Sequence, residues 1–348
     1  MSERTARVET MSRLRQGRRR RRLWRIARRA APAVVGMGAI AAIVIVLDPG
    51  KVARAISRFP LALVPPIFAL YIAIYALQGL RWHYLLRDAG ARLRVRDSML
   101  LNAAGQTVTA LVPLGDLTRA AFAAEATGRD FGTVAATVTV QELTYTLMLV
   151  LLALPVLLAS HAGVTIVAVT LVGMACIVVI LTVSPVFCAA HRVVARIPLL
   201  NRLLPAIDEL QHETADLLHR PDTLGWSVLD LARAAVSVTV LWLLAQGVSP
   251  GTLSWGAACL VLAVSSIGGA ISLVPGGVGA NEAGVAGLLI VFGVGGGAAG
   301  AVALFQRVLM SGMALVLGAA AYAAARRRFP LGHIFQITAR ERAGTAAA

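Results

Sequence analysis

Several polar side chains interrupt long apolar runs in this sequence. Asp116, Arg119, Glu142, Glu282 and Arg307 are charged; Asn102, Gln106, Gln141, Asn281 and Gln306 are neutral donors and acceptors. A charge at membrane depth costs about 2.5–3.5 kcal/mol on insertion scales, so each is expected to have a partner and a function. Arg119 follows Asp116 by one helical turn, close enough to pair with it. An arginine fork donates two hydrogen bonds to a phosphate at once, and a carboxylate takes a proton or a cationic group. The set reads as a polar chamber that holds an anionic headgroup. Asp116, Arg119, Gln141, Glu142, Asn281, Glu282, Gln306 and Arg307 are its expected substrate path. The competing reading is a structural ion pair between Glu142 and Arg307.

Other chemistry finds no support. Gly276-Gly277-Val278-Gly279 lacks the Gly-Lys-Ser/Thr of a phosphate loop, and no Gly-X-Ser-X-Gly elbow is present. The six histidines and three cysteines (Cys176, Cys188, Cys259) show no metal-ligand spacing. No catalytic residue, metal or cofactor is expected.

Two glycine- and proline-rich breaks must position the polar groups. One is Leu111-Val112-Pro113-Leu114-Gly115-Asp116; the other runs from Leu273 through Pro275, Gly276, Gly277 and Gly279 to Glu282. Their flanks are almost uncharged, which puts both breaks at membrane depth, where irregular backbone survives only against protein or a wet cavity. Pro113, Gly115, Pro275, Gly276, Gly277 and Gly279 are the expected hinges. The limb beginning at Asn281 aims a helix N-terminus into its break.

The chain is 348 residues long, 58% hydrophobic and 14% charged, with a mean hydropathy of +0.76. That composition describes an all-α polytopic membrane protein and leaves no room for a large soluble catalytic domain. The net charge of +16 is concentrated at residues 1–30, with twelve arginines against two glutamates. This is read as a positive-inside signal and attraction to anionic lipid rather than nucleic-acid binding. The expected order is a basic tail (1–29), spans at 30–47 and 60–80, a hairpin over 98–130, and spans at 131–159 and 164–187. An amphipathic surface helix carrying Leu203, Ile207, Leu210, Leu217 and Leu218 follows. Then come a span at 224–246, a hairpin over 255–294, a span at 297–325 and a tail at 326–348. Arg81 is grouped with the basic connection after the second span, and Lys51, Arg54 and Arg58 with an interfacial helix. Fifteen residues of helix reach about 22 Å, short of a core near 30 Å, so 98–112 is read as a re-entrant limb.

The halves, about 30–159 and 164–325, resemble each other. Both breaks read Leu-Val-Pro-X-Gly; Pro60 precedes Pro113 by 53 residues and Pro221 precedes Pro275 by 54. Gln141-Glu142 and Gln306-Arg307 hold matching places in the long spans. Each half is two spans, a re-entrant hairpin and a long span. Three crossings per half invert the second half, an arrangement that sets a site at the midplane. The rival topology has eight spans and no hairpins.

Pro275-Gly276-Gly277-Val278-Gly279 with Glu282 resembles the P-G-G-(L/V)-G-x-x-E signature of the lysylphosphatidylglycerol synthetase transmembrane-region family, flippase-like membrane proteins. Pro113-Leu114-Gly115-Asp116-Leu117-Thr118-Arg119 is similar to the family's Pro-x-Gly-Glu-x-x-Arg block, with Asp116 for glutamate. Arg307 resembles its last-span arginine. In the third span the family often has Glu-Arg and a further acid where this chain has Gln141, Glu142 and Tyr145. Few residues follow Ala325, so the soluble aminoacyl-transferase domain of some members is not expected. The resemblance implies a flippase or scramblase-like protein of the inner membrane that moves a phospholipid or lipid-linked headgroup, with both termini cytoplasmic. The alternatives are a membrane enzyme or accessory subunit acting on a polyprenyl-phosphate or glycolipid, and a scaffold for partner helices. Membrane lipids are the expected partners; a homo-oligomer or a partner membrane enzyme is left open.

Overall fold

A computed structural model describes residues 49–111, 116–159, 172, 212, 214, 216–218, 220–271 and 279–329. The expected first span lies outside them, as do both tails beyond 329 and before 49. So do all but one residue of the fourth span, and Pro113, Gly115, Pro275, Gly276 and Gly277. Every regular element among the described residues is helical. In order they are α1 (Pro49–Ser57), a 3-10 turn (Leu61–Leu63), α2 (Val64–Asp88), α3 (Val95–Leu111), α4 (Asp116–Thr127) and α5 (Phe131–Ala159). After the interval come α6 (Pro221–Gly225), α7 (Val228–Val248), α8 (Trp255–Ile271), α9 (Ala280–Val291) and α10 (Gly296–Arg328).

Length sorts these helices into two kinds. Among the described residues, four stretches are long and apolar enough to cross a membrane: Leu61–Asp88, Phe131–Leu158, Pro221–Val248 and Gly296–Arg328. Between them α3 and α8 have 17 residues each, and α4 and α9 have 12 each. At 1.5 Å per residue these limbs reach about 25 and 18 Å, less than a hydrocarbon core of about 30 Å. The order long, 17, 12, long thus occurs twice, as hairpins between crossings.

Contacts at the helix ends define two faces. At one, Arg129 Nη2 donates to Gly90 O at 2.9 Å, Arg220 Nη1 donates to Asp88 O at 2.7 Å, and Arg328 Nη1 reaches Asp97 Oδ1 at 2.5 Å. The hairpin α3–α4 therefore opens and closes on this face. At the other, Gly247 abuts Phe59, Gly256 abuts Val156 and Gly297 abuts Lys51, each so closely that an added Cβ would clash. The hairpin α8–α9 opens and closes there. The second half is thus inverted relative to the first. Each 17-residue limb runs antiparallel against the last helix of the other half, α3 on α10 and α8 on α5.

The exposure pattern is that of a protein in lipid. Leu61, Ile72, Leu151, Leu158, Val291, Val308 and Val316 are more than half exposed, while Arg81, Arg119 and Asp230 are wholly buried. Water-soluble proteins show the reverse. α1 carries Lys51 and Arg54 outward and Val52 inward, as an interfacial helix does. Of the expected amphipathic stretch, Leu217 is buried against Leu85, Ala136 and Val140. Arg81 departs from expectation. It continues α2 seven residues before the helix ends at Asp88, and it faces the interior instead of the basic surface.

Candidate functional site

The first polar cluster is built around Arg119, four residues into α4. Gly105 on α3 makes room for it: a Cβ at Gly105 would strike the Arg119 backbone. So held, Arg119 donates from Nη1 to Asn102 Oδ1 at 2.7 Å and to Gln141 Oε1 at 3.0 Å, and from Nη2 to Glu142 Oε1 at 2.9 Å. Gln141 Nε2 donates to Gln78 O at 2.7 Å, which fixes the orientation of its amide. Glu142 also meets Arg233 of α7 at 3.4 Å and accepts from Gln78 Nε2 at 3.3 Å. The Arg233 guanidinium lies 4.0 Å from the centre of the Tyr145 ring, a cation–π distance. Nearby, Arg81 Nε donates to Asp230 Oδ2 at 2.8 Å, and Thr144 donates to the same oxygen at 2.7 Å. Five helices, α2, α3, α4, α5 and α7, meet in this network.

The second cluster joins α9 to α10. Gly279 holds φ at +89°, a conformation open to glycine, and its N–H donates to Glu282 Oε2 at 2.5 Å. The Gly-x-x-Glu spacing of the break is therefore a helix cap, with the carboxylate reaching back over the first turn of α9. The other oxygen, Oε1, lies 3.3 Å from Arg307 Nη1. Asn281, Glu282, Gln306 and Arg307 line a narrow crevice together with Ala303 and Met310. Tyr71 and Tyr75 of α2 donate to the α10 carbonyls of Gln306 and Met310 at 3.2 and 3.1 Å.

The two clusters correspond. Glu142 is the twelfth residue of α5 and Arg307 the twelfth of α10; Arg119 is the fourth of α4 and Glu282 the third of α9. Each hairpin's second limb is ion-paired to the long helix that follows, with the charges exchanged between halves. Glu142 and Arg307 each meet an opposite charge within their own half, Arg119 and Glu282. The Asp116 side chain lies outside the described set, and Arg119 is held by Asn102, Gln141 and Glu142. Sequence reasoning passed over Gln78, Arg81, Thr144 and Tyr145 as members. Asp230 and Arg233 were not among the expected members either, although they stand three residues apart in an apolar run. They pair not with each other but with Arg81 and Glu142. Among the described residues no three His, Cys, Asp or Glu gather as metal ligands.

Residues 30–318 match the family model described as the lysylphosphatidylglycerol synthase TM region. The chain belongs to this family. Both hairpins and both ion pairs fall within that region. A 66-residue stretch is 39% identical to a UPF0104 membrane protein of Methanothermobacter thermautotrophicus. It covers 19% of this chain and 20% of that relative's length.

Proposed function

We propose that this lysylphosphatidylglycerol synthase TM region protein moves a phosphate-bearing lipid headgroup, of a phospholipid or a lipid-linked precursor, between leaflets. One observation carries the reading: two short hairpins enter from opposite faces, each bearing an Arg–Glu pair at membrane depth. Such a polar passage lowers the cost of drawing a headgroup through hydrocarbon. Arginine suits its phosphate, and the carboxylates balance the charge the arginines bring. Exchange down a gradient needs no energy source.

The arginine-rich face, with Arg92, Arg94, Arg96, Arg129, Arg220 and Arg326–Arg328, is assigned to the cytoplasm, against Lys51, Arg54 and Arg58 opposite. Purified protein in liposomes is expected to speed leaflet exchange of a labelled phospholipid, and Glu282→Ala or Arg307→Ala to slow it. Conversion of a polyprenyl-phosphate or glycolipid to product without exchange would assign an enzyme instead. Wild-type behaviour of both variants would leave only a scaffold.

A further inference from the structure

The first polar network is left with a positive charge. Among the described side chains that meet in it, Arg81, Arg119 and Arg233 stand against Glu142 and Asp230, three cations to two anions, a surplus of one. Its unsatisfied atoms lean the same way. Arg81 Nη1, Asn102 Nδ2, Arg119 Nε and Arg233 Nε are buried donors with no acceptor, against the single acceptor Asp230 Oδ1. Unbalanced buried charge and unused buried donors both cost stability, and a protein keeps them where something supplies the opposite charge and the acceptors. In the second cluster Glu282 and Arg307 cancel.

The surplus belongs to Arg233. Arg119 is wholly buried and holds Glu142 Oε1 at 2.9 Å, with Asn102 and Gln141 at 2.7 and 3.0 Å. Arg233 meets the same carboxylate only at 3.4–3.5 Å, through Nη1 and Nη2, longer than the roughly 2.7–2.9 Å usual for a charge-assisted bond. Its end-on edge therefore faces Glu142, and the side-on edge carries the unpartnered Nε. Both groups stand at an opening. The Glu142 side chain is 36% exposed and that of Arg233 11%, although each lies near the middle of a span, Phe131–Leu158 and Pro221–Val248. The partly exposed residues one turn either side of Glu142, Thr139, Tyr145 and Thr146, are polar as well. Such a lining borders a wet space rather than hydrocarbon.

We propose that Arg233 is the seat of an anion site. Its open edge takes a phosphate oxyanion through parallel N–H groups, and the bound charge brings the network to zero. The Tyr145 ring, 4.0 Å from the guanidinium, steadies that edge. Arg119 keeps Glu142 back from the ligand. The phosphate is that of a lipid headgroup or free inorganic phosphate; in the first case the site rests on the transport reading and names the arginine that meets the headgroup.

Binding tests the site apart from transport. Protein purified in a neutral detergent is titrated at constant ionic strength with inorganic phosphate, with dihexanoyl phosphatidylglycerol and with dihexanoylglycerol, which lacks the phosphate, and the heat of binding is read. Saturable binding is expected for a phosphate-bearing probe and none for dihexanoylglycerol. Tighter binding of the lipid assigns a headgroup; inorganic phosphate binding as tightly or more so assigns a free anion. Arg233→Lys keeps the charge but loses the fork, and is expected to weaken binding about tenfold, as for one lost charge-assisted hydrogen bond. Arg233→Gln is expected to weaken it about a hundredfold while Tm holds or rises, because the surplus charge is gone. A purely structural arginine would do the reverse, with a lower Tm and unchanged binding. No saturable binding of either phosphate probe by the wild-type protein, or wild-type affinity in either variant, would overturn the site. Binding without leaflet exchange would remove transport and keep the site; exchange without binding would remove the site and keep transport.

Discussion

Arg81 and Asp230 are both wholly buried and joined at 2.8 Å, with Thr144 and Ser227 completing the group. Removing one charge of such a pair leaves the other stranded. Asp230→Asn is therefore expected to cost about 3–5 kcal/mol, read as a lower Tm in detergent. The double replacement Arg81→Leu with Asp230→Leu should recover much of the loss. Leucines fill the volume without a charge to desolvate. This pair also shows where a linear reading stops. Arg81 follows directly on an apolar run, and hydropathy cannot distinguish the last buried turn of a helix from the first residue of a basic loop. Asp230 and Arg233 carry a signal that could have been used, since charges three apart in an apolar stretch are rare. Their pairing has no such signal, since α2 and α5 reach α7 only through the folded topology.

At the scale of helices, close approach decides what can pair. The limbs of the first hairpin touch at Gly105 and Arg119, and those of the second at Ser265 and Gly284, where an added Cβ would lie 3.3 Å from the Ser265 backbone. Gly105→Leu is expected to force α4 from α3 and pull Arg119 off Asn102. Both the yield of folded protein and the rate of lipid exchange should fall. Gly268→Ala on α8 is the matched control, because a methyl there meets nothing within 4 Å. Gly279→Ala should lower Tm by another route. A non-glycine residue forced to positive φ costs ~1–2 kcal/mol, and the cap to Glu282 would be strained. The helices themselves were the most legible part of the chain. The expected span at 131–159 coincides with α5, and the hairpin limbs came out short because proline and glycine mark their ends. What the pattern could not supply was the reason for Gly-x-x-Glu, which is a backbone geometry.

For the molecule as a whole, the arrangement of faces makes a topological prediction. With the native cysteines replaced, Arg92→Cys and Gly295→Cys are expected to react with a membrane-impermeant thiol reagent from opposite sides of the membrane. Labelling of both from one side would remove the inversion. The internal repeat was legible in the paired Leu-Val-Pro-X-Gly breaks, and the recurring 17- and 12-residue limbs give it physical form. The exchange of charges between halves could be glimpsed at Glu142 and Arg307. It became a rule only when Arg119 and Glu282 were found beside them.

That exchange has a consequence for a carrier working by rocking between two shapes. Identical halves related by inversion would make the inward-open and outward-open shapes mirror each other in energy, so neither would be preferred. Arginine in one limb and glutamate in the other lift the tie, and the resting molecule favours one posture. A passive carrier so biased should half-saturate at different lipid densities when loaded from its two sides. The ratio of maximal rate to half-saturation must nevertheless stay equal on both, as detailed balance requires.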